Sequence, residues 1–440
     1  MRFRFGLLAA AGIVVVLAAL PPSAGAYEAE DTAAAIEAAG EAAGEAAGRT
    51  GVQLGPRPYY LIDKTKPGRL KSKLQQCGNM QFRKTRFSIG HRGATLQFPE
   101  HTEEGYRAAA RMGAGMVECD VTFTGDGELV CRHSQCDLHT STNILETPLA
   151  STCEAGFKPA TFDADGNRLT AASAKCCTSA LTLEQFKSLK GKVDGANPDA
   201  TTVEEYMDGT PPFRTDLYST GGTLMSHRES IRLFKSLGVD MIPELKGPDS
   251  QVGFGESGLT QKTYANKMIR DYIRAGVSPK KVWPQSFSID DVLHWIRKYP
   301  AFGRQAVFLD GTGRANSDSF PPSVNAFKAL RQQGVNIVSP AIPYLLTLDG
   351  DNSIVPSAYA VNAKRSGIKV STWTLENSGR IVEDVINGNS SYFVTILPAL
   401  EGDGDVMTIL NVLARKVGVI GMFSDWPATT TYYANCMGMK

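Results

Sequence analysis

From residue 87 onward the apolar positions follow two periods. Short runs rich in Val, Ile and Phe read as strands, and stretches with apolar residues every three to four positions read as amphipathic helices. Residues 87–92 form the first expected strand. Residues 103–112 follow as a helix, with Thr102 placed to cap its start and Gly113 to stop it. Residues 116–123 are the next strand, Gly125-Asp126-Gly127 a tight turn, and residues 129–133 a returning strand. A turn this short joins antiparallel neighbours, so the returning segment is a hairpin arm. Further strands are expected over residues 241–246, 282–287, 306–309, 336–340, 369–375 and 420–425. Helical patterns at 229–237, 262–275, 290–299, 324–333 and 357–366 separate most of them.

Without the hairpin arm, the strands begin near residues 88, 116, 241, 282, 306, 336, 369 and 420. Eight strands with intervening helices predict an α/β chain folded as a (β/α)8 TIM barrel, with the β-hairpin after strand 2. An open doubly wound sheet would place a Gly-rich phosphate loop between an early strand and a helix. The run Gly253-Phe254-Gly255 followed by Glu256-Ser257-Gly258 is not so placed and reads as loop. Between residues 134 and 227 the alternation stops. Thr, Ser, Asp, Pro and Gly dominate there, alongside Cys136, Cys153, Cys176 and Cys177. That stretch is expected to be a loop-rich, disulfide-containing insertion above the barrel mouth. Cys77 and Cys436 flank the barrel and are candidates to tie its ends, whereas Cys119 is expected to stay a free thiol in the helix layer.

The start of the chain departs from this pattern. Arg2 and Arg4 precede an apolar run over residues 6–20, Pro21-Pro22 ends it, and Ala24-Gly25-Ala26 supplies small residues for cleavage. Residues 1–26 therefore read as a secretory signal peptide; a membrane span needs about 20 apolar residues. Its removal leaves no membrane span in the mature protein, and a secreted or periplasmic location follows. Residues 27–86 read as a linker or leader, Ala-, Glu- and Gly-rich at first and basic from residue 57 to 86. The barrel would then occupy residues 87–436. The 440 residues carry 46 Lys and Arg against 45 Asp and Glu, a balance that excludes a protein built around nucleic acid.

The candidate chemistry gathers at strand ends. Glu118 and Asp120 are two apart on one strand and share a face, and Glu244 and Lys246 repeat the arrangement on the next. Carboxylates aimed into a barrel interior need a cation or a proton. Glu118, Asp120 and Glu244 offer oxygen ligands suited to a divalent metal ion, Mg2+ or Ca2+. The plainer reading is a buried salt-bridge network completed by Lys246 and Arg92. His91 ends the first strand and His133 the hairpin, at the end of the barrel where such enzymes place their chemistry. Each alone would pass for a structural histidine. Together they can act as acid and base on either side of a scissile bond, with Arg92 and Lys246 as fixed charges suited to a phosphate.

These residues stand in runs that resemble a known family. His91-Arg92-Gly93, Pro99-Glu100-His101-Thr102, Glu118-Cys119-Asp120-Val121, Thr124-Gly125-Asp126-Gly127 and His133 look like the signature of glycerophosphodiester phosphodiesterases. Pro243-Glu244-Leu245-Lys246, Ser286-Phe287, Trp373-Thr374 and Ser424-Asp425-Trp426-Pro427 match it in order over residues 87–433. The family usually has Asn at the place of His101, Asp at that of Ser134, and Thr and Tyr at those of Ser424 and Trp426. The long insertion is similar to that of its secreted or periplasmic members. The resemblance implies metal-dependent hydrolysis of glycerophosphodiesters, deacylated phospholipids such as glycerophosphocholine, to an alcohol and glycerol 3-phosphate. By residue-wise transfer it implies His91 and His133 as acid and base, Glu118, Asp120 and Glu244 as metal ligands, and Arg92 and Lys246 on the phosphoryl oxygens. Phe287 and Trp373 would wall the glycerol and head group. The competing expectations are a phospholipase C- or D-like barrel acting on intact lipid, and a non-catalytic phosphodiester-binding protein. The polar insertion disfavours the first, and the full set of histidines and carboxylates disfavours the second. A single sequon, Asn389-Ser390-Ser391, permits glycosylation in a eukaryotic host.

Overall fold

The computed structural model describes residues 51–312, 320–381 and 392–439. The expected signal peptide, the first part of the leader and the sequon lie outside the described residues. Eight parallel strands form the barrel. They are β1 (Thr85–Gly90), β2 (Ala114–Val117 and Asp120–Phe123), β3 (Asp240–Met241 and Glu244–Leu245) and β4 (Gln285–Ser286). They continue with β5 (Val307–Asp310), β6 (Ile337–Pro340), β7 (Lys369–Val370 and Thr372–Leu375) and β8 (Met422–Ser424). Each pairs in parallel with the next, and β8 returns to β1 through Ser88, Ile89 and Gly90, so the ring closes. Three of the strands are broken, and their lower and upper halves share the work of pairing. In β3 the break falls at Pro243, which has no N–H to give a ladder.

Helices cover the outside as their periodicity requires. Glu103–Arg111 starts where the Thr102 hydroxyl accepts a hydrogen bond from the Gly105 N–H, and it buries Tyr106, Ala109 and Ala110. His227–Leu237 starts on a capping box between Ser226 and Glu229 and ends on left-handed Gly238. Inside the ring, Ile89, Met116, Ile242 and Phe423 form one small apolar layer, with Trp283 and Trp373 packed against it. The hairpin arm is Leu129–Cys131, antiparallel to the upper half of β2 as its short turn predicts.

Two expectations about the flanks change. Residues 57–75 belong to the fold: helices Arg57–Lys64 and Arg69–Gln75 bury Leu61, Ile62 and Leu74 in the main core. Their apolar residues are few, and neighbouring lysines and arginines mask the pattern. Cys119 is not free but paired with Cys131 across the hairpin. The pairing follows from geometry, because neighbouring arms of a hairpin bring the two Cα atoms to 5.2 Å. Cys77–Cys436 ties the ends of the barrel, and Cys136–Cys177 and Cys153–Cys176 staple the insertion. The insertion has its own core, in which Leu138, Ile144, Phe186, Leu189, Tyr206 and Leu224 are buried.

Candidate active site

The upper ends of the strands converge on a cavity of about 250 Å3. Its wall includes His91, Arg92, Glu118, His133, Glu244, Lys246, Phe287 and Trp373. Asp120 lies behind this surface, 1% exposed. Thus eight of the nine expected site residues line one space, and the ninth supports it. The strand register explains the arrangement. Asp120 pairs directly with Glu244, and Glu244 with Gln285, which sets a polar row across β2, β3 and β4. One oxygen from each of Glu118, Asp120 and Glu244 lies within 4.8 Å of the others.

Cations only partly balance these carboxylates. Lys246 Nζ is 2.7 Å from Glu244 Oε1, and Arg92 Nε is 3.5 Å from Asp120 Oδ2. Glu118 accepts hydrogen bonds from the Arg92 N–H at 3.1 Å and from Gln285 Nε2 at 2.7 Å. Burial, then the charges of Asp120 and Glu244, push the Glu118 carboxyl well above its usual range. Burial pushes Glu244 up to about 7 despite Lys246. Asp120 stays ionised: burial opposes this, but Lys246, His101 and Arg92 together hold it well below the usual carboxylate range. Three carboxyl groups thus crowd together beside two cations, and the buried Asp120 Oδ1 has no hydrogen-bond partner. This set of hard oxygen donors fits a divalent cation such as Mg2+ or Ca2+.

The two histidines differ. His91 Nδ1 is 2.6 Å from Asp425 Oδ1, and its Nε2 is 4.0 Å from Glu118 Oε2. In the tautomer that donates from Nδ1 to Asp425, Nε2 is the nitrogen left free to accept a proton. His133 lines the cavity, and burial, followed by the charges of Arg92 and Lys246, holds it well below the usual imidazole range. It is therefore neutral near pH 7.

The turn after β1 carries much of this geometry. Arg92 and His101 both adopt left-handed backbone, with φ of 56° and 57°, and the His101 N–H donates to the Arg92 carbonyl at 2.9 Å. Such conformations are costly for residues with side chains and are held by their surroundings. At Gly93, a Cβ would come within 2.9 Å of the Gly105 backbone, so the turn can close only on glycine.

Several contributors were not assigned a role from the sequence. Asp425 holds His91, Gln285 holds Glu118, and Glu100 accepts from Arg92 Nη1 at 3.1 Å on both oxygens. His101, where the family usually has Asn, lies between Asp120 Oδ2 at 3.1 Å and the Tyr106 hydroxyl at 2.9 Å. Asp425 and Glu100 stand inside quoted motifs, which was the available signal. Gln285 is next to Ser286-Phe287, with no local pattern to mark it. Phe287, Trp373 and Tyr392 meet edge to face, at 5.9 and 6.1 Å between ring centres, and form the apolar wall.

Residues 91–429 match the glycerophosphoryl diester phosphodiesterase family. A protein of Arthroderma benhamiae named "Extracellular protein" is 47% identical over 249 residues, which are 56% of this chain and 100% of that protein. A glycerophosphodiester phosphodiesterase of Arabidopsis thaliana is 20% identical over 362 residues, covering 79% of this chain and 85% of its own. The fold is similar to a crystal structure assigned as a glycerophosphoryl diester phosphodiesterase of Silicibacter pomeroyi. The TM-score is 0.51 at 20% identity, over 84% of this chain and 99% of that one.

Proposed function

The chain belongs to the glycerophosphoryl diester phosphodiesterase family, and from that premise we propose that it is a secreted, metal-dependent enzyme that hydrolyses glycerophosphodiesters such as glycerophosphocholine to an alcohol and glycerol 3-phosphate. The observation that carries this reading is the meeting of His91, His133, Arg92, Lys246 and two of the clustered carboxylates on one cavity wall.

In this reading Glu118, Asp120 and Glu244 hold the divalent ion, which when bound supplies positive charge to the phosphoryl oxygens. Arg92 and Lys246 grip the same oxygens. Attack on a phosphodiester adds negative charge there, and cations already in place stabilise it without reorganising. His91, with its proton fixed on Nδ1, offers Nε2 as a base. His133 faces the same space, and one imidazole removes the nucleophile's proton while the other protonates the departing alkoxide. Phe287 and Trp373 wall the head group. A neighbouring glycerol hydroxyl is the proposed first nucleophile: its oxygen bonds phosphorus, the alcohol leaves with a proton, and water then opens the cyclic phosphate. Trapping no cyclic phosphate, with 18O from water entering in a single step, would count against that route.

Secretion is supported by the name of the Arthroderma relative and by the pairing of all eight cysteines. Residues 1–26 would act as the signal peptide. Among the described residues no helix is long and apolar enough to cross a membrane.

The test is release of glycerol 3-phosphate from glycerophosphocholine, compared with release of choline or phosphocholine from vesicles of intact phosphatidylcholine. Soluble diester should be cleaved and vesicles spared. Chelation should abolish turnover, and Mg2+ or Ca2+ should restore it. Activity on vesicles alone would favour the phospholipase reading. Full activity after exhaustive chelation would remove the metal from it.

A further inference from the structure

The insertion sends one charged side chain into the barrel site. Arg214 has a side chain only 6% exposed. The segment that carries it is fixed to the loop after β1: the Thr215 N–H donates to the Leu96 carbonyl at 3.3 Å, and Tyr218 stacks on Phe98 at 4.7 Å. From there Arg214 Nη2 lies 3.4 Å from Glu100 Oε1 and 3.7 Å from Asp425 Oδ2.

Each of those carboxylates leads to a group that faces the cavity. Glu100 holds the Arg92 guanidinium with both oxygens, and Asp425 holds His91 by its Nδ1. Asp425 Oδ2 accepts no hydrogen bond among the described residues, so the Arg214 guanidinium is the charge that faces it. Arg214 Nε is likewise buried without a hydrogen-bond partner. One guanidinium thus serves two buried carboxylates at a place with little water to replace it. Burial of an unpaired carboxylate is costly, and Asp425 can orient the His91 ring only while it is held in place itself.

We infer that Arg214 is a positioning residue, through which the insertion locks Asp425 against His91 and Glu100 against Arg92. This rests on the reading of His91 as an acid–base group. The plainer alternative is that Arg214 only pins the insertion to the barrel.

Full-length wild type, Arg214→Ala, Arg214→Lys, Asp425→Asn and the Arg214→Ala/Asp425→Asn double variant separate the two. With glycerophosphocholine, Arg214→Ala should lower kcat about 10- to 100-fold, as loss of an outer-shell partner typically does. Arg214→Lys should recover part of it, because it keeps the charge but not the fork. In the Asp425→Asn background the further kcat loss from Arg214→Ala should shrink to the part that acts through Glu100 and Arg92. Losses that multiply in full would overturn the inference. A readout independent of substrate is the His91 ring by 15N NMR. Wild type should show a protonated Nδ1, and Arg214→Ala a mixture of tautomers. An unchanged His91 spectrum in Arg214→Ala overturns the inference even if the diester assay works. If wild type cleaves no glycerophosphodiester, the functional reading fails while the His91 spectrum still decides on Arg214. Should the Ala variant fail to fold, Arg214→Lys carries both measurements, and wild-type kcat with a wild-type spectrum there would overturn the inference.

Discussion

The lower end of the barrel holds the larger cavity, about 560 Å3 against about 250 Å3 at the mouth. Both are lined by cations. Below they are Arg86, Arg304, Arg331 and Lys369, all exposed, and no carboxylate or histidine stands among them. Arg86 is paired with Asp240 at 2.5 Å and lies over the Trp283 ring, and Arg331 donates to the Ser366 carbonyl at 2.9 Å. At the mouth, Glu118, Asp120 and Glu244 are buried together, and the charges of Asp120 and Glu244 add to burial in raising Glu118. A group in water keeps its ordinary acidity. A group withdrawn from water beside its own kind does not, and this shifted acidity is what acid–base and metal chemistry use. Size alone would have pointed to the lower end.

The sharpest way to break this contrast is to remove the histidines. His91→Ala and His133→Ala should each lower turnover by at least about 100-fold in a protein that still folds. Steady-state kinetics with glycerophosphocholine, beside a melting curve, check both halves. Full activity in either variant would sink the acid–base assignment.

What could be read before the structure follows the range of the interactions involved. The barrel was legible because each strand and helix carries its own period, and the hairpin because Gly125-Asp126-Gly127 allows little else. The gathering of the nine candidate residues was legible because they stand in short motifs at strand ends. What stayed hidden joins residues far apart in sequence. Asp425 reaches His91 across 334 positions, and Gln285 reaches Glu118 across 167. The closing of the ring makes the first pair neighbours, and the register of β2, β3 and β4 the second. Arg214 was illegible for a second reason: the insertion has no regular period, so nothing marks which of its residues turns inward. The Cys119–Cys131 pair shows the limit of face alternation. Alternation placed Cys119 outside the barrel but said nothing of what it would meet there.

A second, smaller effect should appear as pH dependence of metal binding at the mouth. Burial raises Glu244 to about 7 in the metal-free protein. Below that pH the carboxyl holds a proton that a cation must displace. The apparent affinity for Mg2+ should therefore weaken by at least about tenfold per pH unit below 7 and level off above it. Glu118, also raised, acts in the same direction. Calorimetric titration from pH 8 to pH 5.5 measures the slope, and Glu244→Gln should flatten it. Equal affinity at pH 6 and pH 8 in the wild type would favour the plain salt-bridge network over a metal site.

The smallest expected effect lies at the lower end. Arg304→Ala and Lys369→Ala remove exposed cations with no ion pair among the described residues, and exposed substitutions of this kind change stability by about 0.5 kcal/mol or less. They should also leave turnover within about twofold, since screening by water and salt weakens a surface charge beyond about 10 Å. The apolar layer of Ile89, Met116, Ile242 and Phe423 stands between the two cavities: Ile89, Met116 and Ile242 face the lower one and Phe423 the upper. Four packed side chains transmit shape but not charge. A change at the cavity rim should therefore stay below them, whereas enlarging the layer itself should not. If Lys369→Ala altered kcat tenfold with an unchanged melting curve, the two ends would be coupled and the contrast between them would fail. If only Ile242→Ala did so, the layer would be confirmed as the floor of the upper site and the lower cavity as a space beneath it.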